Sequence, residues 1–323
     1  MDLQYFQKLS DMKNNHFFNR DIVSIKDFSK DDLEFVFDAT DKIRTLKAKE
    51  RSHLGSARIL GYVFYEPSTR TRMSFEAAMA SIGGSSLGIF DPHLSSIEKG
   101  ETLYDTIKTM DLYADVLVLR HQMDGSSRYA AEISDHPIFN GGSGSEEHPT
   151  QAMLDLYTMK REKKHIDGLK ICILGDLKYG RTIYSLLFGL IHYNVEIYLV
   201  SPPSLRVRQE SIYGLKEKLK IIELTELDDL ILEKMDVLYV TRIQRERFPD
   251  VQEYEKVKGT YIVDSNVLAK LKPGASIMHP MPRVEEISKE IDSTANAIYF
   301  KQAAYGKELR AALLALVLNE TGI

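Results

Sequence analysis

The chain's 323 residues are 43% hydrophobic and 28% charged, enough for two domains with cores of their own. With 42 Lys and Arg against 47 Asp and Glu, the net charge is −5, which leaves no global basic field for nucleic acid. The single cysteine, Cys172, excludes an internal disulfide and a Cys-rich metal site, and fits a reducing compartment.

The opening "MDLQYFQKLSDMKNN" has no basic segment followed by an apolar one. The longest apolar runs, such as "AALLALVL", are too short to cross a bilayer. A cytoplasmic protein without a membrane partner is expected.

In chain order, apolar β-rich runs alternate with segments of helical period. "ILGYVFY" leads into the helical "TRMSFEAAMASI". "SSLGIF" is followed by "ETLYDTIKTMDLY", then by the strand-like "DVLVLRH". The cluster Asn140 to Glu147, "NGGSGSEE", reads as a turn before a long helix that begins near His148. A second series follows: "LKICILG", "RTIYSLLFGLIHY", "VEIYLVS", "VLYVTRI" and "ASIMHP". Continuous Val/Ile/Leu runs alternating with helices predict an α/β protein with two doubly wound parallel-sheet domains. The helix at His148 bridges the halves. The last helix, "YGKELRAALLALVL", has no strand after it and packs back on the first domain. The expected domains are residues 1–147 with 305–323, and residues 148–304.

One stretch stands out chemically. In "FYEPSTRTRMSFEAAM" the consecutive residues Ser68, Thr69, Arg70, Thr71 and Arg72 all carry hydroxyls or guanidinium groups at a strand-to-helix turn. Such a turn presents free backbone N–H groups and the positive end of a helix dipole. An ordinary N-cap with solvated arginines is the plainer alternative. Two arginines with three hydroxyls exceed what a cap requires and point to phosphate or a phosphate-like anion.

A second stretch, "GDLKYGRT" from Gly175 to Thr182, is one residue from a P-loop, with Arg181 where that motif needs Lys. "YIVD", ending at Asp264, is a matching Walker-B candidate, so an ATP-dependent enzyme is a competing reading. Arg does not freely replace the compact charge of Lys. Further clusters end strands or start helices: Arg120 and His121 in "VLVLRH", His148 and Gln151 in "HPTQ", and Arg242, Gln244 and Glu246 in "VTRIQRER". Strand C-terminal ends are where open α/β sheets bind ligands. His121 reads as structural. The fixed approach to His148, through a Gly-rich turn and into a Pro, favours a functional role. Metal-binding spacings are absent.

The motifs "STRTR", "KGET", "LRH", "HPTQ", "GDLKYGRT", "TRIQRER", "HPMPRVEEI" and "YFKQAAYGKELRAALLALVL" follow one another as in aspartate carbamoyltransferase catalytic chains, which this sequence resembles from about Asn19 to its end. The resemblance implies transfer of the carbamoyl group of carbamoyl phosphate to L-aspartate, early in pyrimidine synthesis, with no metal or organic cofactor. It implies that Ser68, Thr69, Arg70 and Thr71 cradle phosphate, and that Arg120, His148 and Gln151, with Thr71, hold the carbamoyl group. Arg181 and Arg242 would grip the aspartate carboxylates, helped by Gln244 and by backbone near Met281 and Pro282. The phosphate groups fall in the first expected domain, the aspartate groups in the second.

The family's trimers share active sites, and Ser95 and Lys99 resemble the residues a neighbour lends. Glu66, with Arg181 and Arg247, resembles a domain-closure bridge; Glu253, with Lys178 and Tyr179, resembles another. A separate regulatory chain is compatible with the sequence. The departures are Met281 in place of Leu, Glu98 in place of Lys, and Ser143 with Glu146 and Glu147 beside His148. Ornithine carbamoyltransferases share "STRTR" but carry "HCLP" and "SMG" segments, and two arginines suit a dicarboxylate better than a cationic side chain. A non-catalytic scaffold homologue is the other rival; intact Arg70, Lys99, Arg120 and His148 argue against it.

Overall fold

The computed structural model describes residues 15–145, 147–245, 248 and 250–323. Two compact units emerge. One runs to Thr150 and takes in Gly306–Ile323; the other is Gln151–Tyr305. The chain crosses between them within the helices Pro149–Lys163 and Tyr299–Leu318.

The first unit is built on β1 (Ile59–Phe64), β2 (Ser85–Ile89), β3 (Val116–His121) and β4 (Ile138–Ser143), all parallel in the order β2-β1-β3-β4. Its central strands are apolar on both faces because helices cover them, and Val63, Ile107, Leu117, Leu119 and Ile138 share one core. The register pairs Phe64 with Arg120, so β1 and β3 end together just before Glu66 and Ser68.

The second unit holds β5 (Lys170–Leu174), β6 (Glu196–Val200), β7 (Lys220–Leu224), β8 (Val237–Val240) and β9 (Ser276–Met278), parallel in the order β7-β6-β5-β8-β9. Leu174 pairs with Val240, which brings the segments after β5 and β8 to one edge. Cys172 is fully buried there with Leu238 and Ile277, and burial pushes its thiol well up. It packs as a small apolar residue.

Two strands depart from the sequence reading. Asn140 to Ser143, read as a turn, lie in β4, whose six residues are all buried. The Asn140 side chain donates to the Val23 carbonyl at 2.9 Å and the Ser143 hydroxyl at 2.9 Å, and accepts from Gly142 N at 2.8 Å. A turn-forming residue thus satisfies its own polar atoms inside a sheet. β7, "KIIEL", is a short edge strand between charged residues and carries a weak signal.

The helix Lys30–Thr45 shows how local chemistry sets an element. Ser29 and Asp32 form a reciprocal capping box, and Leu33, Val36, Phe37, Thr40 and Ile43 make its buried stripe. Burial alone would raise the Asp32 carboxyl. The Ser29 backbone N–H, Arg20 at 3.0 Å and His16 at 2.6 Å outweigh that and bring it to about 2. A carboxyl depressed below its unfolded value stabilises at neutral pH, and that contribution is lost as pH falls through its folded value. Asp32→Asn is therefore expected to cost about 1–2 kcal/mol at pH 7 in urea unfolding, with the gap to wild type closing as pH drops from 5 toward 2.

Candidate active site

In the first unit, β1 runs through Glu66 into Ser68, the N-cap of the helix Thr69–Ser81. The Ser68 hydroxyl makes no capping bond, and no acidic residue occupies the first turn. Thr69 and Arg70 are exposed, and Thr71 is buried. The turn therefore offers hydroxyls and the backbone N–H groups of a helix start whose own first turn carries no acid. Arg72 turns elsewhere: it pairs with Glu76 at 3.3 Å and covers the Phe90 ring at 4.7 Å.

Arg120, at the end of β3, donates to the Gly141 carbonyl at 2.9 Å and faces Glu66 at 3.4 Å. These contacts on the two terminal guanidinium nitrogens set the plane of its fork. Its neighbour His121 accepts from Met123 N at 3.0 Å and packs on Tyr65 at 4.5 Å between centroids. Burial lowers the His121 pKa, as suits a structural histidine.

His148 is 4% exposed and immediately precedes the helix that Pro149 opens. Glu147 does not face water beside it: its carboxylate accepts from the Ser24 hydroxyl at 2.8 Å and lies 3.6 Å from Lys26. Burial raises its pKa. Arg310, buried in the C-terminal helix, reaches both Thr150 at 3.3 Å and Ser74 at 2.8 Å, and sits over the Phe75 ring at 5.0 Å. One guanidinium thereby ties the start of the His148 helix to the helix that begins at Thr69.

Ser95 caps the short turn Ser96–Lys99, accepting from Ile97 N at 3.3 Å. Lys99 is exposed beside Gly100. Glu98, the departure next to it, is engaged with His93 at 2.9 Å and raises that imidazole's pKa.

In the second unit, the "GDLKYGRT" turn is organised by Asp176, which is fully buried. Its carboxylate accepts from Lys178 N at 3.1 Å, Tyr179 N at 3.0 Å and, from the segment after β8, Gln244 N at 3.4 Å. A P-loop would offer such amides to a nucleotide; here a protein carboxylate holds them. The Walker-B candidate Asp264 caps the helix Ser265–Lys270, accepting from Asn266 N and Val267 N at 3.0 Å each. The nucleotide reading therefore loses both of its motifs.

Arg181 opens the helix Arg181–Leu190 and is 9% exposed. Arg242 lines a cavity at the end of β5 and β8 with Arg245, Lys258, Tyr254 and Glu286. Gln244 is half-buried beside it. Gln151 is also buried, its amide nitrogen 2.9 Å from Asp155.

The "HPMPR" turn is fixed from within. His279 accepts from Met281 N at 2.8 Å through Nδ1, so its proton lies on Nε2, 2.7 Å from Glu286. Burial would push the Glu286 carboxyl up; the His279 hydrogen bond and nearby backbone N–H groups outweigh it and hold it low. Met281 takes a left-handed backbone (φ 61) and is followed by a cis bond to Pro282.

The Glu253 pairing with Lys178 and Tyr179 is not formed: Glu253 is exposed and has no polar partner among the described residues. The Lys178 ammonium lies 5.1 Å from the Tyr179 ring centroid, and that ring packs on Phe248 at 5.9 Å. Arg247, Glu246 and Glu146 lie outside the described residues. Among the described residues, no group of three or more His, Cys, Asp or Glu is placed to hold a metal ion. No described helix is long and apolar enough to cross a membrane.

The carbamoyl-P binding domain of aspartate/ornithine carbamoyltransferases matches residues 20–161, and their Asp/Orn binding domain matches residues 167–317. The chain belongs to the aspartate/ornithine carbamoyltransferase family. Within it, the chain is 60% identical to an aspartate carbamoyltransferase catalytic subunit of Nitrosopumilus maritimus, over 95% of this chain and 99% of that one. A Thermococcus onnurineus catalytic subunit is 52% identical, covering 93% and 97%. Among solved structures, the catalytic subunit of M. Jannaschii aspartate transcarbamoylase is 46% identical, with TM-score 0.82 over 92% of this chain and 97% of that one. A Trypanosoma cruzi aspartate transcarbamoylase in complex with carbamoyl phosphate and aspartate is 37% identical, with TM-score 0.89 over 94% and 98%.

Against this carbamoyltransferase frame, the residues the sequence reading overlooked are supports: Asp155, Asp176, Glu286 and Arg310. Only Asp176 carried a signal, as the acid directly after the glycine that follows β5. That glycine is itself constrained. Gly175 has φ +120, and a Cβ on it would meet the Thr241 carbonyl at 2.2 Å. Gly175→Ala is expected to destabilise the second unit by roughly 2 kcal/mol or more in thermal unfolding. Gly259→Ala, at φ +69 with nothing within 4 Å, is expected to cost only about 1 kcal/mol.

Proposed function

We propose that this chain transfers the carbamoyl group of carbamoyl phosphate to the amine of L-aspartate, giving N-carbamoyl-L-aspartate and phosphate for pyrimidine synthesis in the cytoplasm. The observation that carries the aspartate branch is the pair Arg181 and Arg242, just beyond the ends of adjacent strands β5 and β8. Two guanidinium groups suit the two carboxylates of aspartate and would repel the ammonium of ornithine. The aspartate carbamoyltransferase relatives support the same choice.

In this reading the first unit takes carbamoyl phosphate. Ser68, Thr69, Arg70 and Thr71 receive the phosphate at the uncapped helix start. Arg120 and His148 donate to the carbamoyl oxygen, which gains negative charge when the amine attacks. The second unit takes aspartate through Arg181, Arg242, Gln244 and the turn at Met281 and Pro282, while Gln151 meets the carbamoyl group. A C–N bond forms, the C–O bond to phosphate breaks, and the departing phosphate takes the proton the amine releases. No protein base is required, because positioning and charge neutralisation supply the acceleration.

The active form is a homotrimer in which Ser95 and Lys99 serve a neighbour's site. The exposed Lys99 on a capped, Gly-ended turn supports this. Glu66 with Arg181 and Arg247, and Glu253 with Lys178 and Tyr179, take part in closure on the substrates. A separate regulatory chain is compatible with this arrangement.

Steady-state kinetics test these roles. His148→Ala is expected to lower kcat by roughly 10²–10³-fold. Arg242→Ala is expected to raise the aspartate KM strongly while leaving the carbamoyl phosphate KM within a few-fold. An unchanged rate in folded His148→Ala would remove its assigned role. At low aspartate, where each alone is impaired, mixing Lys99→Gln and Arg242→Ala chains should raise activity above either; a mixture no more active than its parts would contradict shared sites.

A further inference from the structure

Asp155 is fully buried on the helix Pro149–Lys163, one turn beyond Gln151, and is not itself assigned a substrate contact. Three donors converge on it. Gln151 Nε2 lies 2.9 Å and Gln302 Nε2 2.6 Å from Oδ1, and the Tyr239 hydroxyl lies 2.7 Å from Oδ2. All three residues are themselves buried.

Each donor continues to a segment the proposed site uses. Tyr239 also has Thr182, the neighbour of Arg181, close to its hydroxyl. The Gln302 side-chain oxygen accepts from His279 N at 2.9 Å, at the base of the turn that carries Met281 and Pro282. Gln151 is itself a proposed contact of the carbamoyl group.

The direction of these bonds has a chemical consequence. A carboxylate only accepts, so the Gln151 end that faces it must be the NH2. Oε1 is then the other end, and among the described residues it has no hydrogen-bond partner. A glutamine amide that could flip would offer either a donor or an acceptor; one held by Asp155 offers an acceptor alone.

We propose that Asp155 is a positioning residue that orients the Gln151 amide with its oxygen toward the ligand, so that the site selects a carbamoyl group, which donates N–H, over an acyl group, which cannot. This rests on the carbamoyl-transfer reading above. A site built to pair one polar group rejects the analogue lacking it, because the buried partner is left unpaired. The role belongs to the acceptor oxygens and not to the charge. Asp155→Asn keeps an oxygen for the two glutamines and turns its NH2 to Tyr239, whose hydroxyl accepts. Asp155→Leu removes every acceptor.

The test compares carbamoyl phosphate as substrate with acetyl phosphate and inorganic phosphate as competing ligands, after wild type has been shown to make carbamoyl-aspartate. In Asp155→Leu the ratio of the acetyl phosphate Ki to the carbamoyl phosphate KM is expected to fall by roughly tenfold or more. The inorganic phosphate Ki should stay within about twofold, since phosphate makes no amide contact. Asp155→Asn should keep the wild-type ratio. An unchanged ratio in folded Asp155→Leu, or equal weakening toward all three ligands, would overturn the proposal. Should Asp155→Leu not fold, proton exchange of the Gln151 side-chain amide in wild type decides. Slow exchange with and without carbamoyl phosphate is expected. Fast exchange that slows only when carbamoyl phosphate binds would place the NH2 against the ligand and overturn it. Wild type that forms no carbamoyl-aspartate would instead sink the functional reading itself.

Discussion

The edge of the second unit beyond β5 and β8 depends on one buried carboxylate. Asp176 gathers N–H groups from the turn after β5 and from the segment after β8, which are 68 residues apart in the case of Gln244. Without it those amides would be left without acceptors in a water-poor setting, each at a cost of about 1–3 kcal/mol. With it, the segments that carry Arg181 and Arg242 are joined edge to edge. The same bonds occupy the amides that a nucleotide-binding loop would leave open. A single acid therefore both builds this edge and excludes the chemistry its sequence imitates.

A similar economy governs the cations. A guanidinium poised for an anionic substrate is poorly placed on its own, because desolvation disfavours an uncompensated charge. Arg120 is accordingly held between the Gly141 carbonyl and Glu66. In the proposed mechanism the same fork donates to the carbamoyl oxygen. The pairing of Glu66 with Arg120 was not foreseen from the sequence, where Glu66 was expected to meet Arg181 and Arg247. Glu147, noted in the sequence as a departure beside His148, accepts from Ser24 and faces Lys26.

Legibility in the sequence followed the range of the interactions. The parallel-sheet class was readable because apolar strands and amphipathic helices are local patterns. The candidate anion-binding turn was readable because Ser68 to Thr71 are contiguous. β4 was missed because Asn140, Gly141 and Gly142 are turn formers by type, and only tertiary partners such as Val23 make them strand residues. Asp155 was invisible for the same reason: Tyr239 lies 84 residues away and Gln302 147. Short-range motifs pointed to the groups proposed to meet the substrates; the buried acids beside them came from the fold.

The central claim is that the two arginines beyond β5 and β8 select aspartate as the carbamoyl acceptor. Purified chain, incubated metal-free with carbamoyl phosphate and an equimolar mixture of L-aspartate and L-ornithine, tests it directly by quantifying each ureido product. The account predicts carbamoyl-aspartate with no citrulline. Citrulline as the main product would contradict the assignment of Arg181 and Arg242, and no ureido product from folded, trimeric protein would contradict the enzyme reading altogether.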